Sequence, residues 1–482
     1  FDIFICLWGD MFFMRKYGLK KIVWMLCILC FLVVSLNTSI FAADGKNVVL
    51  GDVNGDSKIN AIDVLLMKKY ILKVINDLPS DGVKAADVNA DGQINSIDFT
   101  WLKKYMLKAV EKFPGEASNN PDAVIQFESG FAHSVLLKKD GTVWVLGNNG
   151  KGQLGLPEVS AVNEPVMING LSGIKSVAAG REHTLALQED GTLWAWGNNY
   201  SLQLIEYMER DPDTKERFTS IPIKVETHSD IKYVAAKLSR TLIVKNDGTV
   251  WLYSLPPINT SSDAEYMPWE IKGFGDIKMA DIGTGHIVAL REDGTVWTWG
   301  ENVWGQLGNG WQQHHNIHTY IYFEPNQAKN LSDIVSIAAG DAHSVALKSD
   351  GTVWTWGSNF NGELGNGTTT YILEPKKVEG LEDIVAIDAG IGHTVALKAD
   401  GTVWVWGKNS YGQLGNGTTM RSTVPIQVEG LEGIVAIQAG MECTIAYKND
   451  GTVWAWGKND FGQLGDGTFE NILRPVKVFE RK

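Results

Sequence analysis

Cysteine is scarce in this 482-residue chain: there are four, and Cys6, Cys27 and Cys30 all lie within the first 43 positions. Only Cys443 follows, so the body of the chain has no internal disulfide, and its stability must come from packing and bound ions. Positive charge is short as well. The formal net charge is −13, and the first 43 residues carry four basic and two acidic side chains (+2), which leaves −15 on the remainder. An acidic chain without a basic cluster is a poor electrostatic match for nucleic acid, and none is expected as a partner. Long apolar runs are limited to one, IVWMLCILCFLVVSL, of 15 residues, whereas a bilayer-spanning helix needs roughly 20. This run follows Arg15, Lys16, Lys20 and Lys21 and precedes NTSIFAA, with small residues for cleavage near Ala42 or Ala43. Residues 1–43 therefore read as a secretory signal peptide, and no membrane contact is expected after its removal.

Beyond it, residues 47–113 hold a twofold repeat rich in Asp, Asn and Lys, 114–121 (PGEASNNP) form a breaker-rich linker, and 122–482 repeat one phrase seven times. That phrase is DGTVWTWG at 293–300 and 350–357, with close copies elsewhere. Its first Trp falls at 144, 194, 251, 297, 354, 404 and 454, a spacing near 50 that indicates a propeller or array. Each unit reads as four short strands; in the sixth these are PKKV (375–378), IVAIDAG (384–390), HTVALKA (393–399) and TVWVWG (402–407). Asp-Gly between the last two signals a tight hairpin of type I′. Twelve of the 18 Trp residues sit in the phrase, and the second of each Trp-x-Trp is placed to pack between neighbouring sheets. The phrase is architecture, not chemistry. Repeats two to seven each follow a Pro-containing strand, the first has none, and RPVKVF (474–479) follows the seventh. A last strand completing the first blade is thus expected, giving an all-β, seven-bladed ring without an open edge.

The pattern AGxxHTVALKxDGTVWxWGxNxxGQLGNGT resembles the regulator of chromosome condensation repeat family, which implies a seven-bladed propeller over 122–482. The third repeat, AAKLSRTLIVKNDGTVWLYS, departs from it and lacks the Trp-Gly ending and the GQLG that follows.

Ahead of the propeller, DVNGDSKINAID (52–63) and DVNADGQINSID (87–98) place oxygen donors at the spacing of a 12-residue calcium loop. The expected side-chain ligands are Asp52, Asn54, Asp56 and Asp63, then Asp87, Asn89, Asp91 and Asp98. Lys58 and Gln93 offer backbone carbonyls, and Asn60 and Asn95 act directly or through water. Ser57 stands where Gly92 eases the turn in the second loop, so the first loop is expected to bind more weakly. A single helix follows each loop, with Ile62, Leu66 and Tyr70 on one stripe and Ile97, Trp101 and Tyr105 on the other.

This duplicated loop-plus-helix resembles the type I dockerin family. The resemblance implies a small α calcium-binding dockerin domain holding two calcium ions and docking to a cohesin of a scaffoldin in an extracellular cellulosome. The family's cohesin contacts carry over to Ala61, Ile62, Lys68, Lys69 and Lys73, and to Ser96, Ile97, Lys103, Lys104 and Lys108. Ala-Ile and Ser-Ile replace a Ser-Thr pair found in the family, which implies a more apolar contact and another partner specificity. Near-identity of the halves lets either face the cohesin.

On the propeller, His133, His183, His286, His343 and His393 share one repeat position, with Arg240 and Cys443 in the other two units. Recurrence inside a structural motif points to an intra-blade hydrogen bond rather than to metal. His314 and His318 are one helical turn apart but have no third ligand fixed nearby. Trp304, Trp311, Tyr320 and Tyr322 cluster in sequence, and Tyr411 and Phe461 occupy the position of Trp304. Together they are a candidate face for sugar rings or a protein partner. Glu128, Asp281 and Asp388 recur on the innermost strands near the channel and are candidates for glycoside acid–base chemistry. No Ser-His-Asp signature, phosphate-binding loop or zinc pattern occurs. Two function classes follow: a scaffold-docked binding module, an inhibitor included, for a polysaccharide or protein; or a carbohydrate-active enzyme. Nucleotide exchange of the nuclear kind does not suit an acidic exported chain.

Overall fold

The computed structural model describes residues 123–482 apart from 158, 206–216, 254–268, 272–276, 314–324, 449 and 480–482, together with Val53, Met67, Leu78, Ala85 and Ala86. The signal segment, every proposed calcium ligand, the linker, all cohesin-contact positions, Tyr320, Tyr322, His314 and His318 lie outside the described residues. The chain divides into two compact units, Phe1–Asp87 and Val88–Lys482. In the first, Val53, Met67, Ala85 and Ala86 are buried.

The second unit holds 28 described strands, β1–β28 in chain order, in seven four-stranded antiparallel sheets. The first sheet is β1 (Val124–Ser129), β2 (His133–Lys138), β3 (Val143–Asn148) and β4 (Ala161–Met167), paired in that order. The other six span 174–224, 231–271, 277–327, 334–377, 384–427 and 434–478. The seven-bladed all-β architecture expected from the 50-residue period is therefore observed.

Two details differ from expectation. The Pro-containing strand closes the blade it follows: Trp144 pairs with Met167 and Val145 with Val166. The last strand, β28 (Ile472–Val478), accordingly pairs with β27 (Val453–Gly457) as the outer strand of the seventh blade and does not complete the first. The reason is local. The Trp-x-Trp strand needs an outer hydrogen-bonding neighbour, and the GQLG loop returns the chain to supply it. The hairpin type differs too. Gly141 has φ +78°, but Asp140 is absent from the residues with positive φ. Gly141 N donates to Lys138 O at 2.9 Å and Lys138 N to Thr142 O at 3.0 Å. This is a three-residue loop with a left-handed Gly, not type I′. The Asp140 carboxylate accepts from Thr142 N at 2.9 Å and Thr142 Oγ1 at 2.6 Å, satisfying donors the turn leaves open.

Neighbouring blades are held by a repeated clamp. Thr184 Oγ1 donates to Gln153 O at 2.8 Å, so its oxygen accepts from His133 Nε2–H at 2.9 Å. The same carbonyl accepts from Trp196 Nε1 at 2.9 Å. His133 and Gln153 belong to the first blade, Thr184 and Trp196 to the second. Equivalent histidine bonds join His183 to Thr241, His286 to Ser344, His343 to Thr394 and His393 to Thr444. The histidine bond expected within a blade thus runs between blades, because the next blade's hydroxyl is the polar group that reaches the ring. Trp196, Trp356, Trp406 and Trp456 are fully buried in these interfaces.

The seam between the seventh and first blades is built differently. Cys443 stands in the histidine position and donates to Ser129 Oγ at 3.2 Å. Leu146 stands in the Trp position, and Phe479 fills the remaining volume against Phe127, with ring centroids 5.5 Å apart. Asn163 Nδ2 adds a bond to Gly467 O at 3.0 Å.

Candidate functional site

Two regions of the propeller collect the residues singled out from the sequence. The first is the central channel, a cavity of about 370 Å³. Glu128, Asp281 and Asp388 pair with Val135, Val288 and Val395 at one register position of their blades, and all three line this cavity. Asp281 accepts from Ile282 N at 2.8 Å and, across to the fifth blade, from Ala339 N at 2.7 Å. Asp388 repeats this with Ala389 N at 2.8 Å and Ala439 N at 2.7 Å. Both carboxylates thus bridge neighbouring inner strands. Glu128 accepts from Gln126 Nε2 at 2.9 Å and is also hydrogen-bonded by Gln438. Burial, opposed by the amides of Gln126 and Gln438 and helped by the charges of Asp388 and Asp281, pushes its pKa up to about 8. Burial and the neighbouring Asp281 raise Asp388 to about 6. Burial thus favours the neutral form of Glu128 more strongly than that of Asp388.

Two more channel residues were not anticipated, and both come from the degenerate third blade. Tyr233 points among the three carboxylates, and burial with their charges raises its pKa well above the ordinary value. Lys237 stands where the other six blades have Gly130, Gly180, Gly283, Gly340, Gly390 and Gly440. Its Nζ donates to Ala389 O at 2.9 Å and to Ala339 O, so it straps the third blade to the fifth and sixth. The signal was present in the sequence. A Cβ on Gly340 would sit 2.0 Å from His343 Cε1, and one on Gly440 2.5 Å from Cys443 Sγ, whereas the third blade has Arg240 at that position.

The second region is the rim on the side of the GQLG loops. Trp304 is half-buried, edge-on to Phe360 at 4.6 Å and near Tyr371 at 5.9 Å. Trp311 and Phe360 are 47% and 50% exposed, and Met420 on the sixth blade is 74% exposed. Tyr411 is half-buried beneath Lys408 and Lys458, at 5.6 and 4.8 Å. Lys458 also lies 4.0 Å over Phe131, and both lysines pair with Glu442 at 2.7 and 2.8 Å. Phe461 is half-buried, its backbone N bonded to Gln463 Oε1 at 3.0 Å. Sequence reasoning missed Phe360, Tyr371 and Phe131, whose loop positions carry non-aromatic residues in most other repeats.

Comparison with known proteins agrees with this geometry. Residues 50–107 match the type I dockerin domain, 256–482 the RCC1-like domain, and stretches between 124 and 203 the regulator of chromosome condensation (RCC1) repeat. The mouse E3 ubiquitin-protein ligase HERC2 is 31% identical over 261 residues, 52% of this chain and 5% of that protein. The chain thus spans one-twentieth of that relative's length. The crystal structure of Prp20p from Saccharomyces cerevisiae is 22% identical, covers 76% of this chain and 89% of that one, and superposes with a TM-score of 0.60. The type I cohesin–dockerin complex Coh-OlpC-Doc435 from Clostridium thermocellum is 48% identical over 14% of this chain and 96% of that one, with a TM-score of 0.14. Type I dockerins are calcium-binding modules that dock to cohesins in cellulosome-type assemblies, and RCC1-like propellers bind proteins. The chain is therefore a type I dockerin domain joined to a seven-bladed propeller of the regulator of chromosome condensation repeat family.

Proposed function

We propose that this chain is an exported cellulosome component that carries a protein-binding propeller onto a scaffold used in polysaccharide degradation. The observation that carries this reading is the pair of 12-residue Asp/Asn loops inside the dockerin match. Their donors are carboxylate, amide and carbonyl oxygens, the hard ligands calcium takes, so the donor set fits the ion. Two ions would be held by Asp52, Asn54, Asp56, Lys58, Asn60 and Asp63, and by Asp87, Asn89, Asp91, Gln93, Asn95 and Asp98. Bound calcium supplies the charge that brings these acids together and orders the helices behind them. Ala61, Ile62, Lys68, Lys69 and Lys73, or their counterparts Ser96, Ile97, Lys103, Lys104 and Lys108, then face the cohesin.

For the propeller, a protein partner suits the rim better than a polysaccharide. Flat sugar stacking needs open, coplanar aromatic faces, whereas Phe360 stands perpendicular to Trp304. Exposed aromatics beside an exposed Met are the composition of a protein-binding hot spot. Capture on an immobilised cohesin tests the docking: full capture in millimolar calcium and none after chelation is expected. Capture that survives chelation rejects it. Residues 122–482 as bait in spent medium should retain a protein that Trp311→Ala with Phe360→Ala no longer retains. Reducing-sugar release from plant polysaccharides, lost in Asp388→Asn, would overturn the module reading in favour of an enzyme.

A further inference from the structure

We propose that the channel is a binding site for a neutral polyhydroxylated molecule the size of one sugar ring. The cavity of about 370 Å³ lies at the small end of ligand-pocket volumes, roughly 300–1,000 Å³. Its lining mixes aliphatic side chains with polar ones and carries donors and acceptors at close quarters: Tyr233, Lys237, Glu128, Asp281, Asp388 and Gln126.

Chemistry narrows the occupant. Three carboxyl groups disfavour an anion, and an apolar occupant would desolvate them together with Lys237 and Gln126 without replacing their hydrogen bonds. Among the described residues no group of three or more His, Cys, Asp or Glu is disposed to hold a metal ion. An organic cation is redundant, because the Lys237 ammonium already stands beside the carboxylates and lowers the pKa of Asp388. What the lining still offers is hydrogen bonds. Among the described residues the Tyr233 hydroxyl makes no hydrogen bond, and the residue is half-buried in the cavity wall within reach of the charges of the three acids. Lys237 uses two of its three N–H donors on Ala339 O and Ala389 O. The carboxylate oxygens of Asp281 and Asp388 each accept one backbone N–H and keep a lone pair. Hydroxyl groups, which donate and accept at once, match this mixture.

The site is blind at one end. Lys237 crosses to the fifth and sixth blades at the end of its inner strand, so a polymer cannot thread through. Entry is from the other end, past Ile125, which lines the cavity and is 53% exposed. The occupant is a free ring or the end ring of a chain.

Titration calorimetry of the full chain with glucose, xylose, myo-inositol and cellotetraose tests this. At least one probe should show saturable binding; if cellotetraose binds as well as the monosaccharide the source is a chain end, and if only the monosaccharide binds it is a free sugar. Tyr233→Phe, which keeps the ring and removes the hydroxyl, should weaken binding about tenfold, the loss of one hydrogen bond, with an unchanged unfolding temperature. Ile221→Ala, at an exposed position on the outer strand of the second blade, should bind as before. Glu128→Gln should retain at pH 9 an affinity that the unaltered chain loses. Absence of saturable heat with every probe, or equal affinity in Tyr233→Phe, overturns the proposal and leaves water as the occupant.

Discussion

Five histidines carry contacts between neighbouring blades, and each is neutral because burial disfavours its charged form. Burial holds His133, His183 and His286 down to about 3, His393 down to about 4, and His343 well below the usual value. In the unfolded chain these rings take up protons near pH 6.5. The unfolded state therefore binds more protons between pH 6.5 and about 3, and stability falls as pH drops through that window. It is complete above 6.5. Each ring removes about 1.4 kcal/mol for every pH unit below 6.5. Unfolding midpoints measured from pH 7 to pH 4 should fall steeply, and His183→Gln, whose amide still donates to Thr241, should flatten the slope by one proton. An unchanged slope would reject the assignment. Glu128 acts in the opposite sense: its raised pKa favours the fold below about 4.5 and withdraws that support as pH rises through about 8.

At the scale of elements, four interfaces are built on a Trp wedge, Trp196, Trp356, Trp406 or Trp456, with its indole N–H bonded to the preceding blade. Trp406 donates to Glu363 O at 2.8 Å and is fully buried. Trp406→Ala should cost about 3–5 kcal/mol in denaturant unfolding. The seam has no such wedge, so Phe479 is its latch. Phe479→Ala should cost about 3 kcal/mol or less, and hydrogen exchange should accelerate first in β1 and β28, not in the inner blades. Uniform acceleration would remove the seam's special role. The repeat period, the strand content and the Asp-Gly turns were all legible here, because strand patterning and turn chemistry are local. The phase of the repeat was not: a Pro-containing strand between two units pairs equally well with either on paper. The hairpin type was missed because Asp-Gly suits two loop lengths, and only the Lys138–Thr142 pairing selects the longer one.

For the whole molecule, ion binding and propeller stability should be separable. Type I dockerins are calcium-binding modules, and among the described residues no group of three or more His, Cys, Asp or Glu is disposed to hold a metal ion. Calorimetry of the full chain should show two transitions, with calcium raising only the one assigned to residues 47–113. A propeller transition that shifts with chelator would contradict this. The third blade is the asymmetric part of the ring. It lost the repeat signature, and its Tyr233 and Lys237 enter the channel where most blades place small residues.

The sequence alone determined the seven blades, the dockerin domain, and the buried role of the repeated tryptophans. These follow from spacing within about 50 residues, a range over which strand alternation, turn residues and ligand loops act locally. Only the tertiary structure decided what closes the ring, which blade the last strand joins, and which side chains meet in the channel. Glu128, Tyr233, Asp281 and Asp388 come together from four blades, and no local pattern records a meeting that exists only once the ring has closed.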